Sequence, residues 1–206
     1  MSKEILHEYI FTPPSGLRKN VVVFLDRDGV VNQEIHLLHR ASDFELIPGV
    51  PGAIKQLNDA NIPVIINSNQ TVVARGLCDE REVKRIHQRM IDNLADGGAR
   101  VDGVFYCPHS PQADVLEYRL DCPWRKPKSG MLKKALELLG NPAIRFFVGD
   151  MARDILAGKD IGCATIMVKT GHGGEDQIYG QDPNAAPDVW AKDLSEAVSI
   201  ILKKII

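Results

Sequence analysis

The chain has 206 residues and 44% of them are hydrophobic, enough for one sizeable core, so one α/β domain with insertions is the expectation. Charged residues make up 25% and the formal net charge is -2 at pH 7, which excludes the basic footprint of a nucleic-acid or anionic-membrane binder and leaves any anionic ligand to local charge. No run approaches the roughly 20 apolar residues of a spanning helix and the N-terminus lacks a basic-then-apolar secretion pattern, so a cytoplasmic location is expected, with Cys78, Cys107, Cys122 and Cys163 as reduced thiols.

Residues 1–19 mix Pro, Gly and charge without clear period and read as an N-terminal arm lying on a single domain that runs from 20 to 206. Val21–Leu25 is an apolar, β-branched run without alternation, the pattern of a parallel strand buried on both faces, and it ends at Asp26. The design recurs: Pro63–Ile66 ends in Asn67-Ser68-Asn69, Val101–Tyr106 ends at Cys107, Arg145–Val148 ends in Gly149-Asp150, and Ala164–Val168 reads as a fifth strand. Helical patterns cover Val50–Ala60, Asp79–Leu94, Met131–Leu139, Arg153–Lys159 and Leu194–Ile206. Strands alternating with helices predict a doubly wound parallel sheet, in which ligands bind at the carboxyl ends of the strands. The stretches 33–43 and 107–127 read as loop insertions.

Four polar clusters fall at those strand ends. Asp26-Arg27-Asp28-Gly29 places two carboxylates two residues apart, although a strand-end aspartate also serves as a turn cap. Gly149-Asp150, with Asp154 one helical turn later, adds oxygen ligands that suit Mg²⁺ rather than zinc. Two acidic loops converging on one rim repel unless a cation neutralises them. Asn67-Ser68-Asn69-Gln70-Thr71 offers a hydroxyl and amides near an expected helix start, equipment for holding phosphate oxygens. Arg125-Lys126-Pro127-Lys128 supplies positive charge. Asp154 reads equally as a ligand or a helix cap, Lys128 as a solvated lysine, and Cys78 and Cys163 as ordinary buried thiols.

Taken together, these motifs resemble those of the haloacid dehalogenase superfamily of phosphotransferases: Phe24-Leu25-Asp26-Arg27-Asp28-Gly29-Val30, then Ser68, Lys126, and Gly149-Asp150 with Asp154. The local wording is similar to the branch that holds the heptose bisphosphate and histidinol-phosphate phosphatases. It is carried by Asp26–Asn32, Asp43–Val50, Ser68-Asn69-Gln70 with Ala74-Arg75-Gly76, Cys107-Pro108-His109 and Arg125–Leu132, and covers residues 20–170.

The resemblance implies a fold without a large cap domain and a Mg²⁺-dependent phosphomonoesterase. It implies Asp26 as nucleophile, Asp28 as general acid and base, and Ser68 and Lys126 on the transferring phosphoryl group. Mg²⁺ would be held by Asp26, the carbonyl of Asp28 and Asp150, and the substrate read by Arg27, Asn69, Gln70, Thr71 and Arg125. The partner implied is a small phosphorylated metabolite, with the protein a monomer. The heptose bisphosphate reading leads, a histidinol-phosphate phosphatase is the alternative, and a noncatalytic relic of the fold is the rival from another class.

The chain also departs from those relatives. They carry a zinc loop of the form C-x-H followed by C-x-C, whereas here Cys107, His109 and Cys122 are followed by Trp124, leaving either a three-ligand site completed by water or a loop that has lost its metal. Glu34-Ile35-His36-Leu37 replaces an Asp-His-Gly-Tyr wording, and Met151 stands where a lysine often follows the metal aspartate. Both changes move recognition positions toward apolar character and leave the distal part of the substrate open.

Overall fold

The structure, a computed structural model, describes residues 9–175 and 182–205. Seven strands form one sheet: β1 (Tyr9–Phe11), β2 (Val21–Leu25), β3 (Val64–Asn69), β4 (Gly103–Cys107), β5 (Ile144–Gly149), β6 (Ala164–Val168) and β7 (Val189–Ala191). Their order is β1-β4-β3-β2-β5-β6-β7, parallel throughout except for β1, which pairs antiparallel with β4. The helices are α1 (Val50–Asp59), α2 (Glu80–Asp96), α3 (Gly130–Leu138), α4 (Ala152–Asp160) and α5 (Leu194–Ile205).

Strand β2 shows why the sheet is buried on both sides. Val21, Val23 and Leu25 join the layer formed with α1, α2 and α5, while Val22 and Phe24 join the layer formed with α3 and α4. All five side chains are fully buried, each contributing roughly 1.5–3 kcal/mol of apolar transfer, and truncating Phe24 to Ala would cost roughly 3–5 kcal/mol. Chain progression reverses at β2, with β3 on one side and β5 on the other, so the topological switch point lies beyond Leu25.

Three expectations need correction. The arm supplies an edge strand, since Tyr9–Phe11 pairs with β4; residues 1–8, like Ile206, lie outside the described residues. No helix follows Ser68: β3 continues to Asn69, residues 71–77 form turns, and α2 begins only at Glu80 with the Asp79 carboxylate accepting from the Glu82 N–H at 2.9 Å. Cys78 is only partly buried, unlike Cys163. Strand β7 had no counterpart in the sequence reading. Among the described residues no helix is long and apolar enough to cross a membrane.

Candidate active site

The turn after β2 is built around Arg27. Its carbonyl accepts from the N–H groups of Val31 (2.8 Å) and Asn32 (3.1 Å), and Gly29 at φ 79° passes so close to Asp150 that a Cβ there would strike the carboxylate. Arg27, expected from the resemblance to bind the substrate, instead has its side chain 0% exposed and turned inward. Its guanidinium donates to Asp28 Oδ1 at 2.8 Å and Oδ2 at 2.9 Å, and to Gln70 Oε1 at 3.0 Å. Alternation at a strand end accounts for this, because the residue between two pocket-facing carboxylates points away from the pocket. Asp28 also accepts from Asn32 Nδ2 and Gln70 Nε2, both at 2.9 Å. Burial alone would raise its pKa, but Arg27 and these donors prevail and hold it below the usual carboxylate range.

Asp26 is more deeply buried than Asp28. Its Oδ1 accepts from the Arg27 N–H at 2.7 Å and pairs with Lys126 Nζ at 2.8 Å. Lys126 is itself buried, also pairs with Asp154 Oδ1 at 2.7 Å, and donates to the Asn67 carbonyl at 2.8 Å. Desolvation would lower the Lys126 pKa, but Asp154 and Asp26 outweigh it and the net direction is up, so the ammonium is retained. Its backbone is fixed from β3: the Asn69 side chain donates to the Lys126 carbonyl and accepts from its N–H, each at 3.0 Å. Gln70 Nε2 donates to Ser68 Oγ at 2.7 Å, tying the hydroxyl to the same network as Asp28.

Across the switch point, oxygens of Asp26, Asp150 and Asp154 lie within 4.8 Å of one another. Asp150 Oδ2 accepts from the His172 N–H at 2.8 Å, whereas its buried Oδ1 has no hydrogen-bond partner. Burial first, then Asp26 and Asp154, push Asp150 up to about 8. Burial and Asp154, partly offset by Lys126, push Asp26 up to about 7. Asp154 Oδ2 accepts from the Met151 N–H at 3.1 Å and caps α4, so it combines a cap with an ion pair to Lys126. An orphaned buried carboxylate oxygen amid mutually repelling carboxylates is a donor set that fits a hard divalent cation such as Mg²⁺.

Asp26, Asp28 and Asp150 line a cavity of about 530 Å³ together with Ser68, Asn69, Gln70, Thr71 and Arg125, while Lys126 and Asp154 are buried behind it. The departing positions Glu34, His36, Leu37 and Met151 line it too. So do Arg75, which the sequence marks only as part of the Ala74-Arg75-Gly76 wording, and Arg153 and His172, which sequence reasoning does not single out; His172 Nε2 stands 3.8 Å from Glu34 Oε2. Only the strand-end motif around Asp150 hints at Arg153. Lys128 is partly exposed and pairs at 2.6 Å with Asp121, away from the pocket.

Beside the pocket, Cys107, His109 and Cys122 place ligand atoms within 4.8 Å of one another, all buried, with Cys107 Sγ 3.8 Å from His109 Nδ1. Without a cation the Cys107 thiol is pushed far up by its contact with Cys122 and by burial. The Trp124 N–H donates to Cys122 Sγ at 3.4 Å. Its indole lies 6.0 Å from Phe105 and 6.3 Å from Tyr9, which itself stacks on Phe105 at 4.9 Å. Trp124 therefore contributes aromatic packing where an indole could supply no ligand.

Comparison with known proteins agrees with this geometry. A family model described as HAD-hydrolase-like matches residues 123–197. The chain is 40% identical over 189 residues, 87% of its length and 94% of the relative's, to a D-glycero-D-manno-heptose-1,7-bisphosphate 7-phosphatase of Thermosynechococcus vestitus. It is 40% identical over 152 residues, 72% of its length and 83% of the relative's, to a D-glycero-beta-D-manno-heptose-1,7-bisphosphate 7-phosphatase of Haemophilus ducreyi. Its fold is similar to that of a D,D-heptose 1,7-bisphosphate phosphatase from B. bronchiseptica complexed with magnesium and phosphate, with a TM-score of 0.77, 33% identity, and 90% and 99% of the two chains covered.

Proposed function

The chain belongs to the haloacid dehalogenase superfamily of phosphatases, and from that premise we propose that it hydrolyses the 7-phosphate of D-glycero-D-manno-heptose 1,7-bisphosphate or a closely related sugar phosphate. The observation that carries this reading is the convergence of Asp26, Asp28 and Asp150 on one cavity at the switch point, with Lys126 paired to Asp26 from behind it. The alternative, a histidinol-phosphate phosphatase, is not favoured by these relatives. A single monomeric phosphatase domain, whose sheet includes the edge strand Tyr9–Phe11, acts in the cytoplasm in this reading.

Asp26 attacks phosphorus. Lys126 and the Arg27 N–H both engage Oδ1, orienting the carboxylate and leaving Oδ2 for the new P–O bond. The bond from phosphorus to the sugar oxygen breaks, and Asp28 hands that oxygen a proton. Asp28 then takes a proton from water, which attacks the phosphoryl-aspartate and releases phosphate. In the resting site four donor contacts hold Asp28 ionised; an incoming phosphate anion beside it favours its protonated form by like-charge repulsion. Ser68 and Lys126 stabilise the oxygens of the transferring group.

Asp26, the Asp28 carbonyl and Asp150 would hold Mg²⁺, which would supply neutralising charge for an anionic substrate beside an anionic nucleophile. Zinc on Cys107, His109 and Cys122 would tie the loop that carries Arg125 and Lys126. Thr71, Asn69, Gln70 and Arg125 border the sugar, and Arg75 and Arg125 give the mouth the positive charge a second phosphate requires. The test is a panel of sugar phosphates, histidinol phosphate included, assayed for released phosphate with Mg²⁺. Preference for the heptose bisphosphate, with one phosphate removed, is expected; turnover of histidinol phosphate alone would overturn the assignment.

A further inference from the structure

Of the three arginines lining the cavity, Arg75 is exposed and Arg125 is tied to a neighbouring loop. Arg75 sits in the turn 71–77, and Arg125 donates to the His109 carbonyl at 3.2 Å, drawn toward the cysteine loop. Arg153 is placed differently. It is the second residue of α4, whose first turn is locked against the site: the Asp154 carboxylate accepts from the Met151 N–H, and Gly149 lies so close that a Cβ there would strike Asp154. The Arg153 Cα therefore cannot drift from Asp150, three residues earlier. Its side chain is partly buried and borders the same cavity as Asp26 and Asp150.

Resting on the phosphatase reading above, we infer that Arg153 is a substrate-contacting residue whose guanidinium binds oxygens of the phosphoryl group being transferred, opposite Lys126. Lys126 approaches Asp26 from beneath, buried by β3 and Phe147, whose ring centroid is 5.6 Å from Nζ. Arg153 approaches from the α4 side of the cavity. The charge distribution agrees, because Asp26, Asp150 and Lys126 all feel the Arg153 cation, whereas the field of Arg125 falls on Cys107. A planar fork of donors also matches the geometry of phosphate oxygens better than a point charge. With Met151 apolar at the preceding pocket position, Arg153 supplies the cation that this edge of the site otherwise lacks.

The test uses the full chain saturated with Mg²⁺, with inorganic phosphate as the binding probe and two substrates, nitrophenyl phosphate and the heptose bisphosphate. Arg153→Ala should weaken phosphate binding and lower kcat/KM for both substrates alike, by roughly tenfold to a hundredfold, the range for losing a hydrogen bond to a charged group. Arg153→Lys should restore part of the loss, and thermal melting should show that both variants fold. Unchanged phosphate affinity in a folded Arg153→Ala would overturn the inference, as would a loss confined to the bisphosphate. If the parent and its variants bind phosphate and cleave nitrophenyl phosphate as expected but the parent ignores the heptose bisphosphate, the substrate assignment falls and the role of Arg153 stands.

Discussion

The raised carboxylates make metal binding and pH inseparable. In the metal-free protein Asp26 and Asp150 hold their protons up to about 7 and about 8, against an ordinary value of 3.8. A group whose folded pKa is raised favours folding while protonated, so these two contribute stability that is lost as pH rises from about 4 to about 8. His87 acts in the opposite sense: burial and Arg27 lower it from 6.5 to about 3, so its contribution is lost as pH falls below 6.5. Comparing melting temperatures with and without Mg²⁺ at each pH cancels the histidine and isolates the metal site. At pH 8, with Mg²⁺ a hundredfold above its Kd, stabilisation is about 2.7 kcal/mol, or a rise in Tm of roughly 5–10 °C for a domain of this size. At pH 5 protons compete: Asp26 alone, two units below its value of about 7, weakens the metal by about a hundredfold, and Asp150 adds to this. The Tm rise should then fall below about 2 °C at the same Mg²⁺ concentration. Differential scanning fluorimetry from pH 5 to 8 reads this directly, and Asp150→Asn should abolish the shift. An equal shift at both ends of the range, or none at pH 8, would refute the reasoning.

Lys126→Met should cost roughly 3–5 kcal/mol at pH 8 by stranding Asp26 and Asp154, part of it regained on acidification; a loss under about 1 kcal/mol by urea unfolding would show that the pair is not stabilised as described. Asp28→Asn should impair the sugar phosphate far more than nitrophenyl phosphate, whose leaving group needs little protonation, so equal losses would argue against an acid role. Elemental analysis of protein purified without added zinc should find about one zinc per chain, with Trp124→Cys tightening it by supplying a fourth ligand; zinc well below stoichiometric beside an ordered 107–127 loop would remove the metal from the account.

Much of this site was legible because parallel strands buried on both faces announce their own ends. Asp26, Ser68 and Asp150 each follow a run such as Val21–Leu25, and the doubly wound topology then brings those ends together. What local pattern could not show was direction. Arg27 lies between two pocket-facing aspartates and turns into the interior, so a charge that reads as recognition instead clamps Asp28. Arg75 and Arg153 reach the cavity only once their elements dock against the strands that carry Ser68 and Asp150. The edge strand Tyr9–Phe11 was hidden for a related reason, since its partner Gly103–Phe105 lies far along the chain and its three residues carry little period of their own.

The central claim is that Asp26 becomes covalently phosphorylated during turnover. It is tested most directly by acid-quenching the Mg²⁺-loaded protein with the heptose bisphosphate and mapping its peptides by mass spectrometry. The account predicts one phosphoryl group on the peptide containing Asp26, present in the parent, accumulating in Asp28→Asn given nitrophenyl phosphate, whose leaving group needs little protonation while the attacking water is no longer deprotonated, and absent from Asp26→Asn together with phosphate release. Steady phosphate release with no phosphorylated peptide in the parent or in Asp28→Asn, and turnover retained by Asp26→Asn, would contradict it.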